Sequence, residues 1–236
     1  MRISLCLLTL NELDGCGTDV PRLPRADFDE IYAVDGGSRD GTVSYLASQG
    51  ITVHQQEIPG YNGAYLTAFR RCTGEALVLF HPKGTIDPAI LRQFRAHLQA
   101  GCDLVIASRI GRGAQNEEDG RLFKPRKWFV MALGHVVSLL WRREGARIRD
   151  VLHGLRAMRR DAFFAIEPRD RGVSVDLEIV VRAYRGRLRR VEIPVVEKAT
   201  RKGSTHFPAI PTGARLLAYL VSEIRRPAPP PRPLHR

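Results

Sequence analysis

Short apolar runs that alternate with helix-forming segments restrict the fold of this chain more than any other feature. They predict strands at Ile3–Leu8, Phe28–Val34, Ile51–His54, Ala76–Phe80 and Asp103–Ala107. Strands that alternate with helices pair in parallel through right-handed crossovers, so the pattern predicts an α/β fold with a mostly parallel sheet flanked by helices. The 236 residues, 44% of them hydrophobic, suffice for the core of one such domain.

The fourth run ends in a cluster of polar and titratable side chains. Ala76–Phe80 contains no Gly or Pro and predicts a strand buried on both faces. It is followed by His81, Lys83, Thr85 and Asp87, with Asp87 as the predicted N-cap of a helix that Pro88 begins. Ligands of open α/β sheets bind at the C-terminal ends of strands, so this turn is a candidate functional site. A polar loop without a function is the alternative.

The first two predicted strands also end in polar motifs. Thr9, Asn11 and Glu12 follow the first strand, and the turn 35–42 follows the second. In that turn Gly36 and Gly37 allow a tight bend and a close approach of the backbone to a ligand. Asp40 is the predicted N-cap of the next helix.

The character of the chain changes after Arg109. A polar, Gly-rich loop over 111–121 is followed by an apolar helix predicted at 124–143, with basic clusters and a Trp near each end. Such a helix fits the plane of a membrane interface, and the alternative is a helix that packs on the core. We therefore divide one domain, 1–225, into halves at 1–109 and 110–225. The Pro/Arg-rich tail 226–236 is predicted to be disordered.

The charge balance indicates which partners to expect. The chain has 37 Lys and Arg against 25 Asp and Glu, which gives a net charge of +12. This excess favours anionic membrane surfaces, phosphorylated small molecules or nucleic acid. No helix-turn-helix or aromatic RNA-binding motif accompanies the charge, so we expect no nucleic-acid partner.

The cysteines and the first residues indicate a cytoplasmic protein. None of the four cysteines stands in a C-x-x-C pair, so we expect neither a zinc site nor a disulfide framework. Residues 1–8 run straight into a polar motif without a signal peptide, and no run of about 20 apolar residues predicts a transmembrane helix.

Several motifs in order resemble the family-2 glycosyltransferases of the GT-A fold. They are closest to the branch of dolichyl-phosphate mannose synthases and bacterial polyprenyl-phosphate glycosyltransferases. The segments that carry the resemblance are Leu8–Glu12, Val34–Thr42, Gly60–Ala64, Asp150–Arg156 and Arg201–Ser204. They are similar to the family's P-T-Y-N-E, V-D-(D/G)-G-S-x-D-G-T, G-K-G-x-A, D-x-x-S-G-F-R and basic G-x-S segments.

The resemblance implies a role for each matching residue. The residues implied for the nucleotide-sugar are Thr9, Asn11, Glu12, Asp35, Gly36, Gly60, Asn62, His81, Lys83 and Arg109. Those implied for acceptor or phosphate are Arg156, Arg201, Lys202 and Ser204. The resemblance also implies a UDP- or GDP-sugar donor, a polyprenyl phosphate acceptor, inversion at the sugar, and peripheral association with the inner face of an anionic membrane.

The chain departs from the family at the turn after the fourth strand. The family carries D-x-D there, whose carboxylates hold Mg²⁺ or Mn²⁺, whereas this chain carries His81-Pro82-Lys83. Three interpretations stay open. The Lys83 ammonium replaces the metal, His81 binds a softer metal with other ligands, or the protein binds nucleotide-sugar without catalysis, as a degenerate or regulatory member.

The catalytic candidates from the sequence are Asp150, Lys83 and Arg156. An acceptor that is already a phosphate needs little base assistance. For a hydroxyl acceptor, Asp150 is the candidate general base, with Asp176 and Glu178 as weaker candidates.

Overall fold

A mixed seven-stranded sheet forms the centre of the molecule. The computed structural model describes residues 1–116, 119–120, 123–168, 174–198 and 209–227. The strands are β1 (Ile3–Thr9), β2 (Glu30–Asp35), β3 (Thr52–Gln55), β4 (Ala76–Phe80), β5 (Leu104–Ser108), β6 (Arg156–Arg159) and β7 (Arg190–Pro194). Their order across the sheet is β3-β2-β1-β4-β6-β5-β7.

Eight α-helices surround the sheet in the described part of the chain. They are α1 (Leu13–Asp19), α2 (Thr42–Ser48), α3 (Tyr61–Arg71), α4 (Leu91–Gln99), α5 (Pro125–Trp141), α6 (Arg160–Ile166), α7 (Val175–Arg185) and α8 (Ala209–Ile224). Short 3₁₀ turns lie at Val20–Arg22, Arg25–Asp27 and Pro88–Ile90.

The prediction of a mostly parallel α/β sheet is confirmed, with one antiparallel strand. β1 pairs in parallel with both β2 and β4, and β5 pairs in parallel with β7. β6 lies between β4 and β5 and runs antiparallel to both, so the first-half strands β4 and β5 are not neighbours. Strand β6 thereby brings the segment before it, residues 150–155, to the C-terminal end of β4.

Two local features shape the turn that follows β4. The Asp87 carboxylate accepts a hydrogen bond from the backbone N–H of Ala89, which confirms it as a helix cap. The segment after Glu12 forms the short helix α1. A Cβ on Gly15 of this helix would lie 2.0 Å from the carbonyl oxygen of Pro82. A glycine therefore lets α1 pack directly on the turn that follows β4.

Buried ion pairs fix α8 to α7. The Glu223 carboxylate is fully buried and accepts a hydrogen bond of 2.7 Å from Arg185, with Arg182 3.7 Å away. Arg226 lies 3.5 Å from the same carboxylate. These contacts hold α8, which contributes to the wall of the cavity described below.

Helix α5 is the helix predicted at 124–143, and much of its apolar surface is exposed. Its exposed apolar side chains are Trp128, Phe129, Met131, Val136, Leu139 and Leu140. A Cβ on Gly213 of α8 would lie 3.8 Å from the Phe129 ring, and α8 exposes Leu217, Val221 and Ile224. Among the described helices, none is long and apolar enough to cross a membrane.

Candidate functional site

A cavity of about 240 Å³ opens at the C-terminal end of β4. Its polar walls come from Tyr61, His81, Lys83, Thr85, Arg109, His153, Asp176 and Glu197. Its apolar walls come from Phe80, Ile86, Leu152, Leu155 and Leu216. The turn after β4, the segment 152–155 and three helices thus meet at the position that the sequence indicated.

A chain of hydrogen bonds leads from the cavity into the core. The His81 Nε2 atom lies 3.3 Å from the Tyr61 hydroxyl, which lies 3.4 Å from the Tyr65 hydroxyl. Tyr65 in turn donates to the Asp176 carboxylate over 2.7 Å. Asp176 also forms a 2.8 Å ion pair with Arg156.

Burial controls the ionisation of the side chains in this hydrogen-bond network. Desolvation of its ring, together with the nearby charge of Lys83, holds the pKa of His81 well below its ordinary value, so the imidazole is neutral. Burial also raises the pKa of Asp176, although Arg156 opposes that shift. Arg156 is 1% exposed and does not line the cavity, so its guanidinium supports Asp176 instead of meeting a ligand directly.

Gly154 permits the close packing of this wall. A Cβ at this position would lie 2.8 Å from both His81 Cε1 and the Tyr61 hydroxyl. Real Cβ contacts are essentially never that short, so any larger residue would displace the His81 ring or the segment 152–155.

Arg109 is held by a buried carboxylate on one side and meets the cavity on the other. Asp150 is fully buried and accepts hydrogen bonds from Arg109 Nε, Nη2 and the backbone N–H, at 2.8, 3.0 and 3.1 Å. Burial acts to raise the pKa of Asp150, but the Arg109 charge outweighs it and keeps the pKa below its ordinary value. In this arrangement Asp150 positions Arg109 and does not line the cavity; its role as a general base stays a prediction.

Two further groups beside Arg109 were missed by the sequence analysis. Glu197 lies 3.3 Å from Arg109 Nη1, and its carboxylate is 3.9 Å from His153 Nε2. His153 lies in Asp150–Arg156, a segment that carries the resemblance, but no ligand-binding role was predicted for it. The only sequence signal for Glu197 is the polar segment that follows β7, because Glu197 lies 88 residues after Arg109 in the chain.

The residues predicted to bind the nucleotide gather at the ends of β1 and β2. The Asp35 carboxylate accepts from the Thr9 hydroxyl at 3.0 Å and from the backbone N–H groups of Gly37 and Ser38, each at 2.8 Å. The Ser38 hydroxyl is a fourth donor. Because a carboxylate has about four acceptor positions, a ligand that binds Asp35 must replace one of these hydroxyls.

The neighbouring predicted residues are placed around this turn. Asn11 has a left-handed backbone, φ 54°, and its side-chain oxygen accepts from the Arg39 N–H at 2.8 Å. The Glu12 N–H donates to the Thr42 hydroxyl, and Gly36 donates to the Thr9 carbonyl. Gly60, φ 93°, precedes α3, on whose first turn Asn62 is buried. Their roles in ligand binding stay predictions.

The turn after β4 does not offer the ligands of a hard divalent cation. Lys83 is exposed at the cavity and His81 Nε2 faces Tyr61, so neither contributes an oxygen. Within the ranges that the structure describes, no group of three His, Cys, Asp or Glu residues could hold a metal ion. These residues therefore do not fit the carboxylate-bound Mg²⁺ or Mn²⁺ that the resemblance implies.

The charges around the cavity balance one another. Arg156 pairs with Asp176, and Arg109 pairs with Asp150 and Glu197. Lys83 makes no ion pair with any residue in the described part of the chain. Among the described residues of this wall, Lys83 is the more exposed cation, whereas Arg109 is 20% exposed and ion-paired. The predicted phosphate ligands Arg201, Lys202 and Ser204 lie outside the described residues, as does 228–236 of the predicted tail.

The fold and the motifs together define the class of protein. Residues 6–165 match the model of glycosyl transferase family 2, so the chain belongs to that family. It is similar to an uncharacterised glycosyltransferase of Mycobacterium tuberculosis, 26% identical over 82% of this chain and 84% of that protein. It is also similar to the dolichyl-phosphate hexose transferase of Haloferax volcanii, 28% identical over 91% of this chain and 90% of that protein.

Solved structures support the same fold. Glucosyl-3-phosphoglycerate synthase from Mycobacterium tuberculosis, in complex with Mn²⁺, UDP and phosphoglyceric acid, matches with a TM-score of 0.74. The two proteins are 20% identical, and the match covers 96% of this chain and 79% of that one. At this identity the likeness concerns the GT-A fold alone.

Proposed function

We propose that this glycosyltransferase moves a sugar from a nucleotide diphosphate sugar to a polyprenyl phosphate or a related phosphate acceptor, without a carboxylate-bound metal. One observation carries the proposal: Lys83, an exposed ammonium, lines the cavity on the turn after β4, where the resemblance implies metal-binding carboxylates. In the reaction, an acceptor phosphate oxygen forms a bond to the anomeric carbon. The bond from that carbon to the diphosphate breaks, and the nucleoside diphosphate leaves with the electron pair.

The turns after β1, β2 and β4 would form the site for the nucleotide-sugar donor. Glucosyl-3-phosphoglycerate synthase was solved with UDP and Mn²⁺, which supports a UDP- or GDP-sugar as the donor class for this chain. Lys83 would face the diphosphate and stabilise the charge of the leaving group by a charge-assisted hydrogen bond. An ammonium carries one charge where Mg²⁺ carries two, so we expect leaving-group stabilisation to be weaker than in metal-dependent relatives.

The part of the cavity beside Arg109 offers hydrogen-bond donors that suit the phosphate of a sugar acceptor. Arg109 Nη1, the Thr85 hydroxyl and His153 Nε2 surround one region of the cavity. The relative from Haloferax volcanii is named for dolichyl phosphate, which supports a lipid-linked phosphate here. A phosphate oxygen is already anionic, so this acceptor needs no general base. With a hydroxyl acceptor, Asp176 and Glu197 are the carboxylates among the described residues that line the cavity, and the raised pKa of Asp176 suits proton uptake.

The exposed apolar faces of α5 and α8 fit a peripheral membrane contact. Trp128 lies near the start of α5, Arg142 and Arg143 follow its end, and Leu139 is 74% exposed between them. Apolar side chains flanked by Trp and Arg are typical of helices at the headgroup level of a bilayer. The net charge of +12 would add attraction to an anionic leaflet on the cytoplasmic side.

Calorimetric titration with UDP- and GDP-sugars tests the donor site. Each sugar is titrated in EDTA, in Mg²⁺ and in Mn²⁺, into the wild type and into Lys83→Ala. We expect binding in EDTA that Lys83→Ala loses. Binding that requires Mn²⁺ would refute the role of Lys83 and favour His81 as a metal ligand. Binding without any sugar transfer would favour the alternative function, a catalytically degenerate nucleotide-sugar-binding or regulatory protein.

A further inference from the structure

The Glu197 carboxylate lies among hydrogen-bond donors that suit a phosphate. Its Oε2 atom lies 3.3 Å from Arg109 Nη1 and 3.9 Å from His153 Nε2, and its Oε1 atom accepts from the Thr85 hydroxyl at 3.4 Å. The Glu197 side chain is 17% exposed. Guanidinium, imidazole and hydroxyl donors of this kind also suit the oxygens of a phosphate.

His153 presents an N–H to the same region. Its Nδ1 atom accepts a hydrogen bond of 3.0 Å from the backbone N–H of Leu155, so the proton of the neutral ring lies on Nε2. Burial lowers the pKa of His153 to about 3, which keeps the ring neutral. The Nε2 atom is buried and has no hydrogen-bond partner among the described residues, because Glu197 is too far for a good bond.

The contact of Glu197 with Arg109 is longer than the contacts of Asp150 on the other side of the guanidinium. Asp150 binds Arg109 at 2.8 and 3.0 Å, which is the range of strong charge-assisted hydrogen bonds. The corresponding distance for Glu197 is 3.3 Å. Asp150 therefore positions Arg109 more tightly than this contact with Glu197 does.

Two hydrogen bonds hold the backbone around Glu197. The Glu197 N–H donates to the Gln115 carbonyl at 3.0 Å, and the Lys198 N–H donates to the Thr85 carbonyl at 2.9 Å. Rotation of the Glu197 side chain would therefore move its carboxylate without moving the backbone that carries it.

We infer that Glu197 is an internal competitor for the phosphate subsite formed by Arg109, His153 and Thr85. This inference rests on the proposed function and names the residue that controls anion entry into that site. When a phosphate binds, the Glu197 side chain leaves and the phosphate oxygens take its donors. Glu197 thereby lowers the affinity of the subsite for an anion, because the anion must outcompete the carboxylate for Arg109.

Inorganic phosphate titrated by calorimetry into the purified full chain tests the inference. The variants are Glu197→Gln, which removes the charge, and Glu197→Asp, which keeps it. The shorter Asp side chain withdraws the carboxylate by one C–C bond, about 1.5 Å. We expect both variants to bind phosphate more tightly than the wild type by up to about fivefold, the range for a partly exposed ion pair.

Glu144→Gln is the matched control, because it removes the same charge from an exposed glutamate whose described ion pair is a 3.9 Å contact with Arg187. We expect its affinity for phosphate to equal that of the wild type. Glu197 variants that bind phosphate as the wild type does, or more weakly, would overturn the inference, as would an equal gain in Glu144→Gln. If neither the wild type nor the variants bind phosphate, the subsite itself is refuted. Titration of the same proteins with nucleotide sugars reports separately on the donor site, so failure of the inference and failure of the proposed function are distinguishable.

Discussion

Replacement of Gly154 by alanine tests the packing of the cavity wall. The added Cβ would lie 2.8 Å from His81 Cε1 and 2.8 Å from the Tyr61 hydroxyl, against an ordinary carbon contact of about 3.5–4.0 Å. The structure gives no left-handed φ at this residue, so the steric contacts alone oppose the substitution. Overpacking of this kind costs about 1–3 kcal/mol.

The expected consequence is a less stable protein with a displaced His81 ring. For a chain of this length, each kcal/mol lowers Tm by about 2–4 °C, so we expect a loss between about 2 and 12 °C. Thermal unfolding gives the Tm, and ¹H–¹³C spectra of the histidine Cε1 groups report the environment of His81. We also expect weaker binding of nucleotide sugars, because Lys83 follows His81 by two residues.

Gly17→Ala is the matched control, because a Cβ at that position meets nothing within 4 Å. Gly17 lies within α1, where alanine favours the helix by up to about 1 kcal/mol. We expect this variant to unfold at or above the temperature of the wild type. A Gly154→Ala protein with unchanged Tm and unchanged His81 signals would refute the steric argument.

Three further perturbations test other parts of the structure. Burial raises the pKa of Asp19 to about 6, so the contribution of Asp19 to stability should fall as pH rises from 4 to 6, where the native state still holds a proton that the unfolded chain has released. Urea unfolding across that range should show this loss, up to about 3 kcal/mol, and Asp19→Asn should remove it. Glu223→Ala should lower the free energy of unfolding by about 3–5 kcal/mol in urea, because it leaves Arg182 and Arg185 without their buried carboxylate; a loss below about 1 kcal/mol would contradict this. Leu139→Glu should weaken sedimentation with anionic vesicles while Val43→Glu, on α2, should not; equal binding by both variants would contradict a membrane contact through α5.

Local patterns predicted the elements of the sheet well. Ala76–Phe80 has the same bounds in the sequence prediction and in the structure, because an uninterrupted apolar run between a Gly-containing turn and a Pro-containing turn has few alternatives. The cap at Asp87 follows from a side chain two residues from its partner. Such features depend on residues that are close in the sequence, so they can be predicted from it.

Long-range polar contacts could not be predicted in the same way. Nothing in the run Arg156–Arg159 shows that it enters the sheet between β4 and β5 in the opposite direction. The pairing of Arg109 with Asp150 spans 41 residues, and that with Glu197 spans 88. Their geometry depends on the antiparallel β6, so the sequence indicated the residue types of the site without their partners.

Transfer of a sugar in the presence of EDTA is the measurement that tests the central claim most directly. Purified protein is incubated with a panel of UDP- and GDP-sugars and a polyprenyl phosphate in anionic vesicles, and the lipid is analysed by mass spectrometry. The account predicts a glycosylated lipid phosphate in EDTA with the wild type and its loss in Lys83→Ala. Product that forms only after Mg²⁺ or Mn²⁺ is added, or no product from any donor, would contradict it.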